Sequence, residues 1–216
     1  MESLHKPLSL FLFVFFSFSL FAQSSPPGTV KLKSSKTGTK HATFIDRSEV
    51  TTMAWLEYMF WVKKNHGEES AEYKALLPDS AVWLEIYPLD WRRPMYRNLP
   101  MVGISYEQAM GYCTWRTLVV NEKLKLDKEK YTVSYTLPTE IDFEEAYKQQ
   151  KVKTDYKNLT NAVWKKNKLV YIADNAQELT ADKTVITGEE VGKLIFEPYQ
   201  EPNAMTGFRC VAEINK

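Results

Sequence analysis

The sequence predicts a mixed α+β fold in one domain, and three observations carry that reading. Two helix starts with hydroxyl caps, at Ser105 and Thr139, bracket an alternating apolar and polar stretch, Tyr131 to Leu137. Helix, strand and helix therefore follow one another. Near the C-terminus GKLIFEPY and GFRCVAEI read as strands, with Phe208, Cys210 and Ala212 on one face. Finally, 216 residues suffice for one domain with a real hydrophobic core.

Charged residues make up 25% and the formal net charge is +1, which excludes the basic footprint of a nucleic-acid binder. Aromatic residues reach 13%, a surplus that fills cores and also builds binding surfaces.

The N-terminus has the layout of a signal peptide over residues 1–22. His5 and Lys6 precede an apolar run from Leu8 to Phe21, and Ala22 closes a small-residue cleavage site. An uncleaved membrane anchor is the competing reading, but the run falls short of the ~20 residues a spanning helix needs. No Cys follows the run, so no lipid acceptor stands at the new N-terminus. The expectation is an exported chain, periplasmic or extracellular, not lipid-anchored and without a transmembrane helix once mature. Residues 23–41 are Ser, Pro, Gly, Thr and Lys and read as a flexible linker. The domain is expected over 42–216.

Ala42 to Val50 alternates as a strand. Thr51 and Thr52 offer caps for a helix over Met53 to Lys64, in which Trp55, Tyr58, Met59 and Val62 form one stripe. Met53, Phe60 and Trp61 broaden that stripe, so the helix is expected to be covered on more than one side. Ser70 to Leu77 suits a short helix, and Ala81 to Tyr87 a strand around Trp83. Pro88, Pro94 and Pro100 then punctuate an irregular segment.

Within it, Trp91, Arg92, Arg93, Tyr96 and Arg97 gather aromatic and cationic groups in one loop. Such a composition suits a partner-binding loop, since Arg, Trp and Tyr dominate interface hot spots. It suits equally a loop folded over the core with its arginines in salt bridges.

The helix from Ser105 opens on a capping box with Gln108 and lines Tyr106, Ala109, Met110 and Cys113 on one face. Asn121 to Lys130 reads as a charged, exposed insert. Thr139 and Asp142 repeat the box in acidic form. The Glu140, Asp142, Glu144 and Glu145 cluster fits a solvated helix start better than paired catalytic carboxylates. Leu169 to Ala173 is expected as a short strand. Asp174, Asn175, Glu178 and Asp182 then bring hard oxygen donors together, which suits Ca²⁺ or an acidic turn without an ion.

The chain has two cysteines, Cys113 and Cys210. In an oxidising compartment an even count favours a disulfide, with two buried free thiols as the alternative. His5, His41 and His66 show no metal-ligand spacing relative to either cysteine.

Five segments in order, FIDRSEVTTMAWLEYMFWV, MVGISYEQAMGYCTWRT, YTLPTEIDFEEAY, NAQELTAD and GFRCVAE, resemble the formylglycine-generating-enzyme or sulfatase-modifying-factor domain family. The resemblance implies a compact mixed α/β domain related to C-type lectins, with much irregular structure. YRNLPMVGISYEQAMGYCTWRT and PDSAVW are similar to the gliding-motility and type IX secretion lipoproteins of the Bacteroidota, which carry this domain without evident oxidase activity. By resemblance, the family's enzymes oxidise a substrate cysteine with copper held by two cysteines downstream of an R-G-G-S stretch. Here that region reads GKLIFEPYQEPNAMTGFRC, with neither the stretch nor the pair. Cys113 and Cys210 match the family's structural disulfide, and Asn175 and Glu178 its Ca²⁺ ligands. The implied function is a non-catalytic module with a cell-envelope protein partner. A divergent oxidative enzyme and a Ca²⁺-dependent carbohydrate-binding module are the alternatives.

Overall fold

The computed structural model describes residues 25–33, 42–86, 90–150, 159, 161 and 168–215. The expected signal peptide lies outside them. The described residues form two four-stranded sheets and five α-helices.

The first sheet takes β1 (Thr29–Lys31), β2 (Thr43–Asp46), β8 (Val211–Asn215) and β3 (Thr132–Thr136), in the order β1-β2-β8-β3 and antiparallel throughout. The second runs β6 (Lys193–Pro198), β5 (Val185–Glu190), β4 (Gln177–Leu179) and β7 (Thr206–Gly207), with only β4 and β7 parallel. Part of the expected linker is therefore fold. Thr29–Lys31 pairs with β2, and Leu32 is buried beside it.

The helices start where hydroxyl caps place them. α1 (Thr52–His66) is capped by Thr51, whose hydroxyl accepts from the Ala54 N–H at 3.3 Å. α2 (Ala71–Lys74) is capped by Ser70. α4 (Tyr106–Leu126) opens on the predicted box. Gln108 N–H donates to Ser105 Oγ at 3.2 Å, and Ser105 N–H to Gln108 Oε1 at 2.7 Å. α5 (Glu140–Gln149) repeats it with Thr139 and Asp142.

Several expectations are corrected. The strand expected over Ala81 to Tyr87 is not formed by Ala81 to Ile86, which belong to α3 (Ser80–Ile86), started by Asp79, whose carboxylate accepts from the Ala81 N–H at 2.8 Å; Tyr87 lies outside the described residues. Asn121 is not the start of an insert, because α4 continues to Leu126. Leu169 to Ala173 is buried but not a strand, since Tyr171 and Ala173 take left-handed φ values of 56°. Nor do Met53 and Phe60 broaden the covered stripe of α1, since they are 38% and 68% exposed.

The main core joins α1, α4 and the strands. Trp55 of α1 stacks on Tyr112 of α4 with ring centres 5.9 Å apart, and Phe208 meets Tyr112 edge-on at 5.4 Å. Two devices protect sheet edges. Asn121 of α4 closes β3 as a neighbouring strand would: its amide donates to Val133 O and its carbonyl accepts Val133 N–H, both at 2.8 Å. Thr117 accepts the Tyr135 N–H at 2.9 Å. At the far end of the second sheet, both residues of β7 are buried.

Candidate functional site

Three of the motif segments converge on one buried point. Arg209, just before β8, has no solvent exposure, and neither has Glu178 of β4. Arg209 Nε donates to Glu178 Oε2 at 2.5 Å and Nη2 to Oε1 at 2.9 Å, a two-point ion pair. The remaining guanidinium protons go to main-chain carbonyls, Asp46 O at 3.2 Å and Tyr171 O at 2.9 Å. Glu178 Oε1 also accepts the Ala173 N–H at 2.9 Å. The ion pair thus ties down the left-handed turn at Tyr171 and Ala173, a conformation non-glycine residues enter at a cost.

Glu49, between β2 and α1, is the third charge. Its Oε2 lies 3.9 Å from Arg209 Nη2, and the side chain is fully buried. Burial pushes its carboxyl up to about 8. Arg209 partly offsets that shift, Glu178 adds to it, and the Asn175 side chain lowers it slightly. At neutral pH Glu49 therefore favours its protonated form beside the Arg209–Glu178 ion pair.

The carboxylate of Glu178 is thereby committed to a guanidinium, and Asn175, 1% exposed, sits with Glu49. A cation beside Glu178 would lie against the positive charge of Arg209. Among the described residues no three His, Cys, Asp or Glu side chains gather as a metal site. Asn175 and Glu178 alone supply few of the six to eight oxygens of a Ca²⁺ shell.

A second buried pair lies one residue on. Asp46 accepts from Arg116 Nη1 and Nη2 at 2.7 and 2.8 Å, and its Oδ2 also accepts the Cys210 N–H at 2.9 Å. Arg116 in turn lies over the Tyr135 ring, 4.3 Å from its centre. Cys113 and Cys210 are free thiols with no exposure, their Sγ atoms 3.1 Å apart. Burial and the Cys113 sulfur push the Cys210 thiol well up, away from thiolate reactivity. A cleft of about 260 Å³ opens nearby, with Asp46, Tyr112 and Arg116 in its walls. Two of its charged groups, Asp46 and Arg116, are already paired to each other.

The candidate loop is divided. Trp91 and Tyr96 are core residues, 7% and 6% exposed, and Trp91 packs beside Trp83. Tyr96 O accepts the Thr52 hydroxyl, and Arg97 O accepts the Met53 N–H, so the loop is fastened to the start of α1. Arg92, Arg93 and Arg97 are exposed, Arg92 tied to Asp90 at 2.8 Å. Met95 between them is 65% exposed. Among the described residues, Arg93 and Arg97 form no ion pair.

Sequence reasoning missed Glu49, Asp46, Arg116 and Arg209 as partners. The available signal, for Arg209, was a lone charge inside an otherwise apolar segment, GFRCVA.

Fold and buried network together define a mixed α+β domain of the C-type-lectin-like kind. The family model for the sulfatase-modifying factor enzyme 1-like domain matches residues 24–192, so the chain belongs to that family. The match includes the segment that forms β1. No curated protein matches. Among solved structures, variable protein 1 of Treponema denticola is similar at 15% identity over 79% of this chain and 84% of that one, with a TM-score of 0.42. No helix among the described residues is long and apolar enough to cross a membrane.

Proposed function

We propose that this chain is an exported, non-catalytic member of the sulfatase-modifying-factor family that binds another cell-envelope protein, as a component of a gliding or type IX secretion-like assembly. The supporting observation is the state of its two cysteines. Both are wholly buried and turned toward each other, whereas the oxidation the family resemblance implies needs an accessible, soft sulfur. The chain holds no third cysteine. The binding surface is the exposed part of the loop, Arg93, Met95 and Arg97, a cationic rim around one apolar side chain. In the export compartment Cys113 and Cys210 form the disulfide.

Crosslinking and pull-down from native envelopes test this reading. The expected result is one specific envelope protein, captured by the wild type and lost with Arg93→Glu/Arg97→Glu at an unchanged unfolding midpoint. Capture that survives the charge reversal, or no specific partner at all, would overturn it. So would formation of an aldehyde from a cysteine-containing peptide in the presence of copper.

A further inference from the structure

We propose that β6 pairs edge to edge with β6 of a second copy of this chain, across a two-fold axis, to form a homodimer. The inference is independent of the partner loop and rests on the second sheet.

β6 is an edge strand, and its register with β5 is fixed by the hairpin. Glu190 lies opposite Lys193 across the two-residue turn Val191-Gly192, and Gly188 opposite Ile195. In a two-residue hairpin the closing pair exchanges hydrogen bonds, and such pairs then alternate. Lys193, Ile195 and Glu197 therefore turn their main-chain groups toward β5. Consistent with this, Ile195 O also accepts the Thr187 hydroxyl at 3.0 Å. Leu194 and Phe196 turn theirs outward. Among the described residues, no main-chain hydrogen bond reaches those outward groups.

Elsewhere β3 is closed by Asn121 and Thr117 and β7 by burial. Among the described residues β6 carries neither device. Its Leu194 and Phe196 side chains pack on the smaller core beside Phe143 and Ala146 of α5, so one face of the strand is covered while no described residue covers the edge. An open, half-apolar edge is a template for a further strand.

The sequence specifies which strand fits. Lys193-Leu194-Ile195-Phe196-Glu197 is a charge-inverted palindrome centred on Ile195. In antiparallel self-pairing about that centre, Leu194 of each copy meets Phe196 of the other, and these are the residues whose main-chain groups face outward. Lys193 of each copy then lies opposite Glu197 of the other, giving two ion pairs. Moving the centre to Leu194 or Phe196 places Glu197 opposite Val191 or Ile195 and loses both. Lys193 and Glu197 are exposed, and Glu197 gives one oxygen to Gln177 Nε2 at 2.9 Å, leaving the other for the second copy. A two-fold interface requires such self-complementarity.

Analytical ultracentrifugation of the purified full chain over a range of concentrations tests the proposal. The expected result is a concentration-dependent species of twice the chain mass. Lys193→Glu and Glu197→Lys should each weaken dimerisation on the order of tenfold or more, because like charges then stand opposite at both ends. An equimolar mixture of the two variants, and the double variant carrying both, should recover the dimer. Hydrogen exchange at the Leu194 and Phe196 amides should slow as dimer forms. Circular dichroism confirms that each variant is folded. A chain that stays monomeric throughout, a dimer indifferent to the single reversals, or folded variants that fail to recover on mixing would each overturn the proposal.

Discussion

Arg209 and Glu178 meet in a two-point ion pair with neither side chain exposed to solvent. Replacing one member strands the other as an uncompensated buried charge, which costs about 3–5 kcal/mol. Arg209→Leu should therefore lower the urea midpoint by that free energy or prevent folding. Arg209→Lys keeps the charge but loses the planar fork, so it should fall between the variant and the wild type. Equal stability of all three would show the pair to be idle.

Glu49 makes stability depend on pH. Burial holds its carboxyl near 8, against an ordinary value of 4.5. The folded state keeps a proton that the unfolded state releases, so this contribution is fully present below about pH 4.5. It is lost as pH rises toward 8 and levels off above that, with a slope of about 1.4 kcal/mol per pH unit inside the window. Glu49→Gln, a neutral mimic of the buried acid, should flatten that fall in urea unfolding measured from pH 5 to 8.

The cysteines predict a thiol count. Facing sulfurs 3.1 Å apart are placed to release two protons and two electrons to the oxidant of an oxidising compartment and join. Chain recovered from such a compartment, denatured without reductant, should show no free thiol by a colorimetric assay and two after reduction. The two residues are 97 apart in sequence, so the link contributes up to ~4.7 kcal/mol on the chain-entropy account. Cys113→Ser/Cys210→Ser should lower the thermal midpoint accordingly.

Val191 sits at the tip of the β5–β6 hairpin with φ of 49° and 94% exposure. A β-branched side chain is strained there, and asparagine is favoured in this turn. Val191→Asn should raise stability by about 1 kcal/mol and the thermal midpoint by a few degrees.

The helices were legible because their starts are chemically local. Ser105 with Gln108 and Thr139 with Asp142 are three residues apart, and the reciprocal bonds form as expected. α3 is not distinguished from a strand because Val82, Trp83, Leu84 and Ile86 form a short apolar run that suits either element, and the cap at Asp79 carries no second signal three residues on. The site was less legible, for a reason of distance. Asn175 and Glu178 look like ligands within their own segment, which does not reveal that Glu178 pairs with Arg209, 31 residues beyond. Trp91 and Tyr96 share a loop with three arginines, and composition alone does not separate the rings that turn inward from the cations that stay out.

The burial of β7 fixes how far association through the second sheet can proceed. A sheet open at both edges can add copies without end and grow into a fibre. With Thr206 and Gly207 sealed inside the fold, this one offers a single docking edge, and joining two such edges consumes both. Stoichiometry through this route stops at two, which is compatible with a discrete component and not with a polymer.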